Sequence, residues 1–257
     1  MTLREVAIAA AKKAGAITLR YFETAVEREV KADKSFVTIA DREAEAAIIA
    51  EIKKYFPGHG ILGEECGEKR FASPSPLQWI IDPLDGTGNF VNGIPLFSVS
   101  IAALKDGVPV VGVVYQPVGD ALYAAEQGKG VVWRGKTVRV SDGGAEDALI
   151  TFGPGKKEKE RLNALLSRAE RFVKSKRYLG SAALELAYLA RGGTEGFICL
   201  GLNQWDYAAG ALLVSEAGGM ITDFAGKPWE YGSGDHFIAS NGRIHETLLT
   251  LVKTELS

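Results

Sequence analysis

The sequence predicts a layered α/β fold, of α+β character in its first half, and three observations support this prediction. Two stretches near the N-terminus repeat apolar residues at helical spacing. Residues 97–140 then hold short β-rich segments separated by glycine-bearing turns, which is typical of an antiparallel sheet. From residue 147 onward, strand and helix patterns alternate, which indicates layered α/β structure.

The first two predicted elements are amphipathic helices. One covers residues 3–23, with lysine and arginine interspersed among its apolar positions. The other begins near Thr38 or Asp41, which can cap a helix, and stops at Pro57-Gly58. Residues 25–37 are charged and aperiodic, so we predict a loop or a short irregular hairpin between the two helices.

The next elements lead to a β-sheet. A short apolar piece at 60–62 runs into Gly63-Glu64-Glu65, and a loop containing Ser73-Pro74-Ser75-Pro76 follows. We expect a strand from Trp79 to end at Asp82, because Pro83 has no amide hydrogen and a fixed backbone torsion. The remaining strands of this half are predicted at 97–104, 108–115, 121–126, 130–133 and 137–140.

The second half alternates strands with helices. Its strands are predicted at 147–152, 174–179, 195–200, 219–223 and 236–240. Its helices are predicted at 157–171, 181–191, 206–217 and 242–254. We predict a single domain over residues 1–257, in which Ser141–Gly144 separates an N-terminal half of about 1–142 from a C-terminal half of about 143–257.

Composition narrows the functional classes. With 46% apolar and 24% charged residues and a net charge of −2, the chain is typical of a soluble globular protein. These values favour neither a nucleic-acid surface nor a membrane segment, and the N-terminus lacks a signal-peptide layout. The two cysteines, Cys66 and Cys199, and three scattered histidines make neither a disulfide framework nor a zinc site. We therefore expect a cytoplasmic protein with reduced thiols.

The segment WIIDPLDGTGNF at residues 79–90 concentrates candidate chemistry. Asp82 and Asp85 lie three residues apart around Pro83, and two anions held close together repel unless they are protonated or bridged by a cation. Oxygen ligands suit Mg²⁺ or Mn²⁺ rather than zinc. The amides of Gly86 and Thr87, at a turn or a helix start, can bind a phosphate. The alternative is a strand followed by an acidic surface turn.

Further acidic residues lie at the ends of predicted elements, where loops gather into sites. Glu64 and Glu65 follow the apolar piece at 60–62, and Asp41 begins the second helix. Asp206 starts a later helix, where it can also serve as a plain N-terminal cap.

Four segments, in the right order, resemble signatures of the inositol monophosphatase family, a group within the Mg²⁺-dependent, lithium-sensitive sugar phosphatases. They are WIIDPLDGTGNF at 79–90, WDYAAGALLVSEAGG at 205–219, Gly63-Glu64-Glu65 and Val37-Thr38-Ile39-Ala40-Asp41. The resemblance runs from about residue 5 to residue 250. It implies a layered αβαβα sandwich with the active site between the halves.

The resemblance also implies a metal centre. Glu64, Asp82 and the backbone carbonyl of Leu84 would hold one Mg²⁺, and Asp82, Asp85 and Asp206 would hold a second. Glu64 would contribute to a third, looser ion. Mn²⁺ would be an alternative cofactor, and Li⁺ would inhibit.

The resemblance assigns other residues to the reaction. Thr87, helped by Glu64 and linked to Asp41, would orient the attacking water. Glu65 would be a supporting acid, and Lys31 would lie near the phosphate. Two cations can neutralise a phosphate monoester, lower the pKa of the water and stabilise the leaving oxygen.

The substrate side differs from that of the animal enzymes. Gly180, Ser181 and Ala182 match a substrate-side GSAA segment of inositol and fructose-bisphosphate phosphatases. Cys199 stands where animal inositol monophosphatases place a glutamate that contacts the inositol hydroxyls. Because cysteine forms weak hydrogen bonds, we predict a broad substrate range. Glu185 or Gln204 is the alternative source of that contact.

The predicted function is Mg²⁺-dependent hydrolysis of inositol 1-phosphate and related small polyol or sugar phosphates by metal-activated water, in a homodimer implied by the family. Alternatives are a fructose-1,6-bisphosphatase or dual-activity enzyme, and then a histidinol-phosphate phosphatase. A different class is an RNA- or RNA-polymerase-binding protein of this fold. The complete acid set, Thr87 and the net charge of −2 favour the enzyme and make a nucleic-acid partner the weaker expectation.

Overall fold

The computed structural model describes residues 1–24, 27–30, 36–69 and 75–253. The helices in these ranges are α1 (Leu3–Tyr21), α2 (Ile39–Tyr55), α3 (Thr87–Val91), α4 (Lys159–Ala169), α5 (Ala182–Ala190), α6 (Gln204–Glu216) and α7 (His245–Lys253). The strands of the first half are β1 (Arg28–Val30), β2 (Phe36–Thr38), β3 (Gly60–Gly63), β4 (Gly67–Lys69), β5 (Leu77–Asp85), β6 (Ser98–Lys105), β7 (Val108–Gln116), β8 (Ala121–Glu126), β9 (Val131–Trp133) and β10 (Lys136–Val138). The strands of the second half are β11 (Leu149–Pro154), β12 (Ser175–Arg177), β13 (Gly196–Leu200), β14 (Met220–Thr222) and β15 (His236–Ser240).

Two sheets and three helical layers form an αβαβα sandwich, which confirms the predicted fold. The first sheet has eight strands in the order β10-β9-β8-β7-β6-β5-β3-β4 and is antiparallel except for the β3–β5 pair. The second has five strands in the order β12-β11-β13-β15-β14 and mixes parallel with antiparallel pairs. Helices α1 and α2 pack on one face of the first sheet, and α4 and α7 on the outer face of the second. Helices α5 and α6 lie between the sheets.

The middle layer joins the two halves of the chain through one hydrophobic core. Fully buried Leu186 and Leu213 of α5 and α6 belong to the same cluster as Val114 of the first sheet and Phe237 of the second. Such apolar burial stabilises the fold by about 25 cal/mol per Å² removed from water. The first sheet therefore depends on second-half helices to cover one of its faces.

The observed elements differ from the predicted ones chiefly at turns. Strands β1 and β2 pair antiparallel, as the hairpin alternative for residues 25–37 expected, although residues 25, 26 and 31–35 lie outside the described ranges. The short strand β4 and the short helix α3 were not predicted. Of the predicted loop at 73–76, residues 73 and 74 lie outside the described ranges.

The prediction that Pro83 ends its strand is wrong. Strand β5 continues to Asp85, and its pairing with β6 shifts register between Asp82 and Asp85. A bulge tolerates proline because the bulged residue donates no hydrogen bond to the ladder. Among the described residues, no helix is both long enough and apolar enough to cross a membrane.

Candidate active site

A cleft of about 480 Å³ opens where the two sheets end. The first half contributes residues from the end of β3 and from the end of β5 into α3, and the second contributes the loops after β11 and β13, the start of α6 and the start of β15. The predicted site residues that line it are Glu64, Asp82, Leu84, Asp85, Gly86, Thr87 and Asp206. The structure thus brings together predicted site residues that are up to 142 positions apart (206 − 64) in the chain.

Three carboxylates form the centre of this cleft. Asp82, Asp85 and Asp206 each offer an oxygen, and these oxygens lie within 4.8 Å of one another. Burial, followed by repulsion from neighbouring acids that include Glu64, raises the pKa of Asp82 and Asp206 well above the ordinary range. Burial likewise raises the pKa of Asp85 to about 6, even though its hydrogen bonds favour the ionised form. Such a cluster is stable in its ionised form only when a cation compensates the charge.

The bulge in β5 explains why Asp82 and Asp85 face the same space. Side chains alternate across a regular strand, so residues three apart would point to opposite faces. On the paired strand β6, Ser100 lies opposite Asp82 and Ser98 opposite Asp85, so that three steps on β5 match two on β6. The extra residue, at Pro83 or Leu84, returns the second carboxylate to the face of the first.

Hydrogen bonds fix both carboxylates of β5. Asp82 Oδ1 accepts from the amide of Leu84 at 2.9 Å. Asp85 Oδ2 accepts from the hydroxyl of Ser181 at 2.7 Å and from the amide of Ala183 at 2.8 Å. Both donors to Asp85 belong to the second half of the chain, so this acid is held by the opposite wall of the cleft.

Thr87 lies at the start of α3, directly after a glycine that the turn requires. Gly86 has a φ of +94°, and an added Cβ would lie 2.9 Å from the carbonyl oxygen of Leu96. The hydroxyl of Thr87 lies 3.3 Å from Asp41 Oδ1 and 3.1 Å from the carbonyl oxygen of Leu84. Asp41 is fully buried, which raises its pKa to about 6. The threonine hydroxyl therefore joins a buried acid to the edge of the cleft.

Asp41 and Asp206 share one local arrangement. Each is the third residue of its helix and closes a capping box with the residue before the helix, Thr38 or Asn203. Asp41 Oδ2 accepts from the amide of Thr38 at 2.8 Å, and Asp206 Oδ2 accepts from the amide of Asn203 at 2.8 Å. Asp206 is therefore not the N-cap that the sequence allowed, because its helix begins two residues earlier, at Gln204.

The turn after β3 is organised by a residue that the sequence prediction missed. Glu45 of α2 is buried, and its Oε1 accepts from the amides of Glu65 at 3.1 Å and Cys66 at 3.2 Å. This places Glu64 in the cleft beside the three aspartates, whereas Glu65 lines a neighbouring cavity. The sequence signal that points to Glu45 is a glutamate at helical spacing with the apolar residues Ile48 and Ile49.

Most of the predicted substrate contacts do not line the cleft. Lys31 lies outside the described residues. Gly180, Ser181 and Ala182 are not among the lining residues of the cleft, and the segment that they form holds Asp85 instead. Cys199 is fully buried in β13, its thiol donates to the carbonyl oxygen of Asp235 at 3.1 Å, and it does not line the cleft either. The thiol of Cys199 therefore lies in the core, and a contact between this residue and the substrate stays a prediction.

Other residues form the second wall of the cleft. They are Pro154, Gly155, Lys156, Lys157, Glu158, Gly201, Leu202, Asn203, Asp235 and His236. His236 packs between two acids, with Nδ1 2.7 Å from Asp235 Oδ1 and Nε2 3.6 Å from Glu158 Oε1. These residues follow β11 and β13 or begin β15, so the rule that sites gather at element ends would have found them.

The donor set fits a hard divalent cation. Each contributing group is a carboxylate or carbonyl oxygen, which are the ligands that Mg²⁺ and Mn²⁺ prefer. The three aspartates, Asp82, Asp85 and Asp206, lie close enough together to share one ion.

Comparison with known proteins agrees with this site. A sequence model of the Inositol monophosphatase family matches residues 1–257, and the chain belongs to this family. Nus factor SuhB of Salmonella typhimurium is 41% identical over 261 residues, covering 98% of this chain and 96% of that protein. The fructose-1,6-bisphosphatase/inositol-1-monophosphatase of Thermotoga maritima is 39% identical over 219 residues, covering 85% and 83%. The crystal structure of extragenic suppressor protein suhB from Bartonella henselae matches with a TM-score of 0.91 at 38% identity, covering 97% of each chain.

Proposed function

We propose that this protein is a Mg²⁺-dependent phosphomonoesterase that hydrolyses inositol 1-phosphate and related small polyol or sugar phosphates. The observation that carries the proposal is the meeting of Asp82, Asp85 and Asp206 within 4.8 Å, beside the hydroxyl of Thr87 in one cleft. A phosphate monoester carries nearly two negative charges, which repel both a nucleophile and a bare acid cluster. A site of this kind therefore needs cations to bind its substrate.

The candidate cation ligands are acidic residues from both halves of the chain. We assign Glu64, Asp82 and the carbonyl of Leu84 to one Mg²⁺ and Asp82, Asp85 and Asp206 to a second. Glu64 is the candidate for a third, looser ion, and Mn²⁺ is an alternative to Mg²⁺. Bound divalent cations would supply charge neutralisation of the ester and a lowered pKa of water.

The chain's own groups position the reactants. The Thr87 hydroxyl has one proton, which it donates to Asp41 or to the Leu84 carbonyl, so its oxygen is left to accept a hydrogen bond from the attacking water. The amides of Gly86 and Thr87, at the edge of the cleft, would hold the phosphate. Positioning and charge carry most of the catalysis in phosphoryl transfer, so no nucleophilic serine or cysteine is required.

A phosphate-release assay tests the proposal. We expect hydrolysis of inositol 1-phosphate with Mg²⁺ or Mn²⁺, no hydrolysis in EDTA, and inhibition by Li⁺. The Asp206→Asn variant should turn over about a hundredfold more slowly, because it removes one charge from the cation site. Full activity in metal-free buffer would refute the proposal, whereas insensitivity to Li⁺ would refute only that detail.

The second wall of the cleft favours a second candidate substrate, a sugar bisphosphate such as fructose 1,6-bisphosphate. Lys156 and Lys157 are exposed and line the same cleft as the acids, so they can attract an anionic group beyond the reacting phosphate. One relative is named for both activities. Lys157→Ala should reduce kcat/KM for the bisphosphate by tenfold or more and for glycerol 2-phosphate by less than threefold. Lys159→Ala, a nearby exposed lysine outside the cleft lining, is the matched control.

A relative's name suggests a further candidate, an association with the transcription machinery, since the Salmonella typhimurium protein is called a Nus factor. This role is compatible with phosphatase activity, because a protein partner can bind to a surface outside the cleft. Co-purification with RNA polymerase from the native host, compared between wild type and Asp206→Asn, distinguishes polymerase binding from phosphatase activity. Retained binding by an inactive variant would support a second function, and no binding by either protein would exclude it.

A further inference from the structure

A buried glutamate lies behind the candidate metal centre with no assigned purpose. Glu185, in the first turn of α5, is fully buried in a segment that otherwise reads alanine, leucine and tyrosine. Its Oε1 accepts from the amide of Leu179 at 2.6 Å and from the amide of Gly180 at 3.2 Å. Its Oε2 has no hydrogen-bond partner among the described residues. Burial raises the pKa of this carboxyl well above its ordinary range.

The two amides that Glu185 holds belong to the turn that enters α5. Gly180 is at a φ of +78°, a conformation that few other residues adopt. The carbonyl of Leu179 accepts from Asn89 Nδ2 at 2.7 Å, and the same amide group of Asn89 donates to the carbonyl of Leu96 at 2.6 Å. The turn is thus held from the first half of the chain by Asn89 and from behind by Glu185.

The front of this turn orients one of the cluster acids. Ser181 follows Gly180 directly, and its hydroxyl donates to Asp85 Oδ2, as does the amide of Ala183. Two donors on one oxygen fix the rotation of the carboxylate and leave Oδ1 to face a cation. A change in the path of the turn would therefore rotate Asp85, and a ligand displaced by about 1 Å binds its ion poorly.

We propose that Glu185 is a positioning residue for the metal centre, which acts through the Leu179–Ser181 turn and the Ser181 hydroxyl to set the orientation of Asp85. The assignment rests on the proposed function insofar as Asp85 is taken as a cation ligand. What the turn requires of Glu185 is a buried acceptor at the position of Oε1, and the negative charge is not needed. Glutamine provides that acceptor on a side chain of the same shape, whereas methionine fills the volume with only a weak acceptor.

The test compares three purified full-length proteins, namely wild type, Glu185→Gln and Glu185→Met, by Mn²⁺ titration followed by electron paramagnetic resonance and by the Mg²⁺ concentration that gives half-maximal phosphate release. We expect Glu185→Gln to remain within about threefold of wild type in both quantities. We expect Glu185→Met to bind Mn²⁺ at least tenfold more weakly and to need at least tenfold more Mg²⁺, with kcat at saturating Mg²⁺ affected less.

Leu189→Ala is the matched control, because Leu189 is fully buried at the far end of the same helix and lies away from the turn. It should lower the melting temperature without changing the affinity for Mn²⁺. If Glu185→Met does not fold, Glu185→Asp replaces it, since the shorter side chain withdraws the acceptor from both amides and should weaken Mn²⁺ binding in the same direction.

Two results would overturn the assignment. One is a Glu185→Met or Glu185→Asp protein whose Mn²⁺ affinity stays within threefold of wild type, and the other is a Glu185→Gln protein as impaired as the methionine variant. Failure of the proposed function is distinguishable, because the Mn²⁺ titration needs no substrate. A wild-type protein that releases no phosphate but binds Mn²⁺ in a Glu185-dependent way would refute the phosphatase and support the positioning role. No Mn²⁺ binding by wild type would overturn both.

Discussion

The ionised side chain of Asp85 is expected to destabilise the folded protein when metal is absent and to stabilise it when a cation is bound. Its carboxylate is buried among other acids, which raises its pKa from 3.8 to about 6. Ionisation is thus more costly in the folded chain than in the unfolded chain. The stability associated with this group is fully present below pH 3.8 and is lost as pH rises through about 6.

The first prediction follows from this sign. In EDTA at pH 7.5, Asp85→Asn should be more stable than wild type, by on the order of 2–3 kcal/mol. The amide oxygen of asparagine can still accept from Ser181 and Ala183, while the buried charge is gone. The same variant should lose the stabilisation that Mg²⁺ gives to wild type. Thermal unfolding with and without Mg²⁺, between pH 4 and 8, measures both effects.

An exposed aspartate provides the control for this comparison. Asp142→Asn removes the same charge at a solvent-exposed position, where no change in stability beyond about 0.5 kcal/mol is expected. A metal-free Asp85→Asn protein that is less stable than wild type at pH 7.5 would contradict the account of a repulsive, buried cluster.

The second prediction concerns the threonine that links Asp41 to the cleft. Thr87→Ala should leave divalent-cation affinity within about threefold of wild type and lower kcat by roughly tenfold to a hundredfold, in the range attributed to a group that handles a proton. Thr87→Ser keeps the hydroxyl and should restore most of the turnover. Rates at saturating Mg²⁺ and substrate measure the effect, and a Thr87→Ala protein with near-native kcat would exclude the water-orienting role.

Single residues also show how far the sequence alone could lead. The meeting of Glu64, Asp82, Asp85 and Asp206 was predictable, because each lies at an element end in a segment with its own signature. The orientation of Cys199 was not, because alternation along β13 and cover from the helices between the sheets decide whether a side chain faces the cleft or the core. Residue type and spacing carry no information on that choice.

At the scale of elements, the predicted secondary structure was wrong or incomplete mainly at turns and bulges. Helix and strand interiors follow periodic burial, so their existence was predicted for nearly all long segments. The register shift in β5 was missed, because a proline is compatible both with the end of a strand and with a bulge. The short helix α3 was also missed, since five residues are too few to show helical periodicity.

The packing of α5 against α6 gives the third prediction. Gly210 lies in α6, and an added Cβ would come within 2.6 Å of the Leu186 Cβ on α5. Gly210→Ala should therefore lower the free energy of unfolding by about 1–3 kcal/mol, despite the better helix propensity of alanine. Urea unfolding monitored by circular dichroism measures the change.

A second helical glycine separates packing from propensity. Gly88 in α3 has open space where its Cβ would be, so Gly88→Ala should be neutral or stabilising by up to about 1 kcal/mol. If Gly210→Ala proved as stable as Gly88→Ala, the close approach of the two helices would be disproved.

At the scale of the whole molecule, the resemblance to the family predicts a homodimer. Within the 108–114 stretch of β7, Val111, Val113 and Val114 are buried in the protomer, whereas Val108 is 52% exposed. The burial of these three assigns most of the stretch to the core and leaves Val108 as its outward apolar residue.

The fourth prediction is the mass of that assembly. Light scattering after size exclusion, at micromolar concentration, should give about twice the chain mass of 27.5 kDa. A mass near that of one chain would contradict the homodimer.

The placement of α5 and α6 between the sheets has a consequence for synthesis on the ribosome. The eight-stranded sheet is complete once Val138 has emerged, yet the helices that cover its inner face end only at Glu216, 78 residues later (216 − 138). At about 5–20 residues per second, the sheet would wait roughly 4–16 s with Ile80, Leu104, Val114 and Tyr123 facing water. A nascent chain stalled near residue 142 should accordingly recruit hydrophobic-surface chaperones, and one extended beyond α6 should release them. The strands of the eight-stranded sheet are thus translated well before the helices that shield its apolar inner face from water.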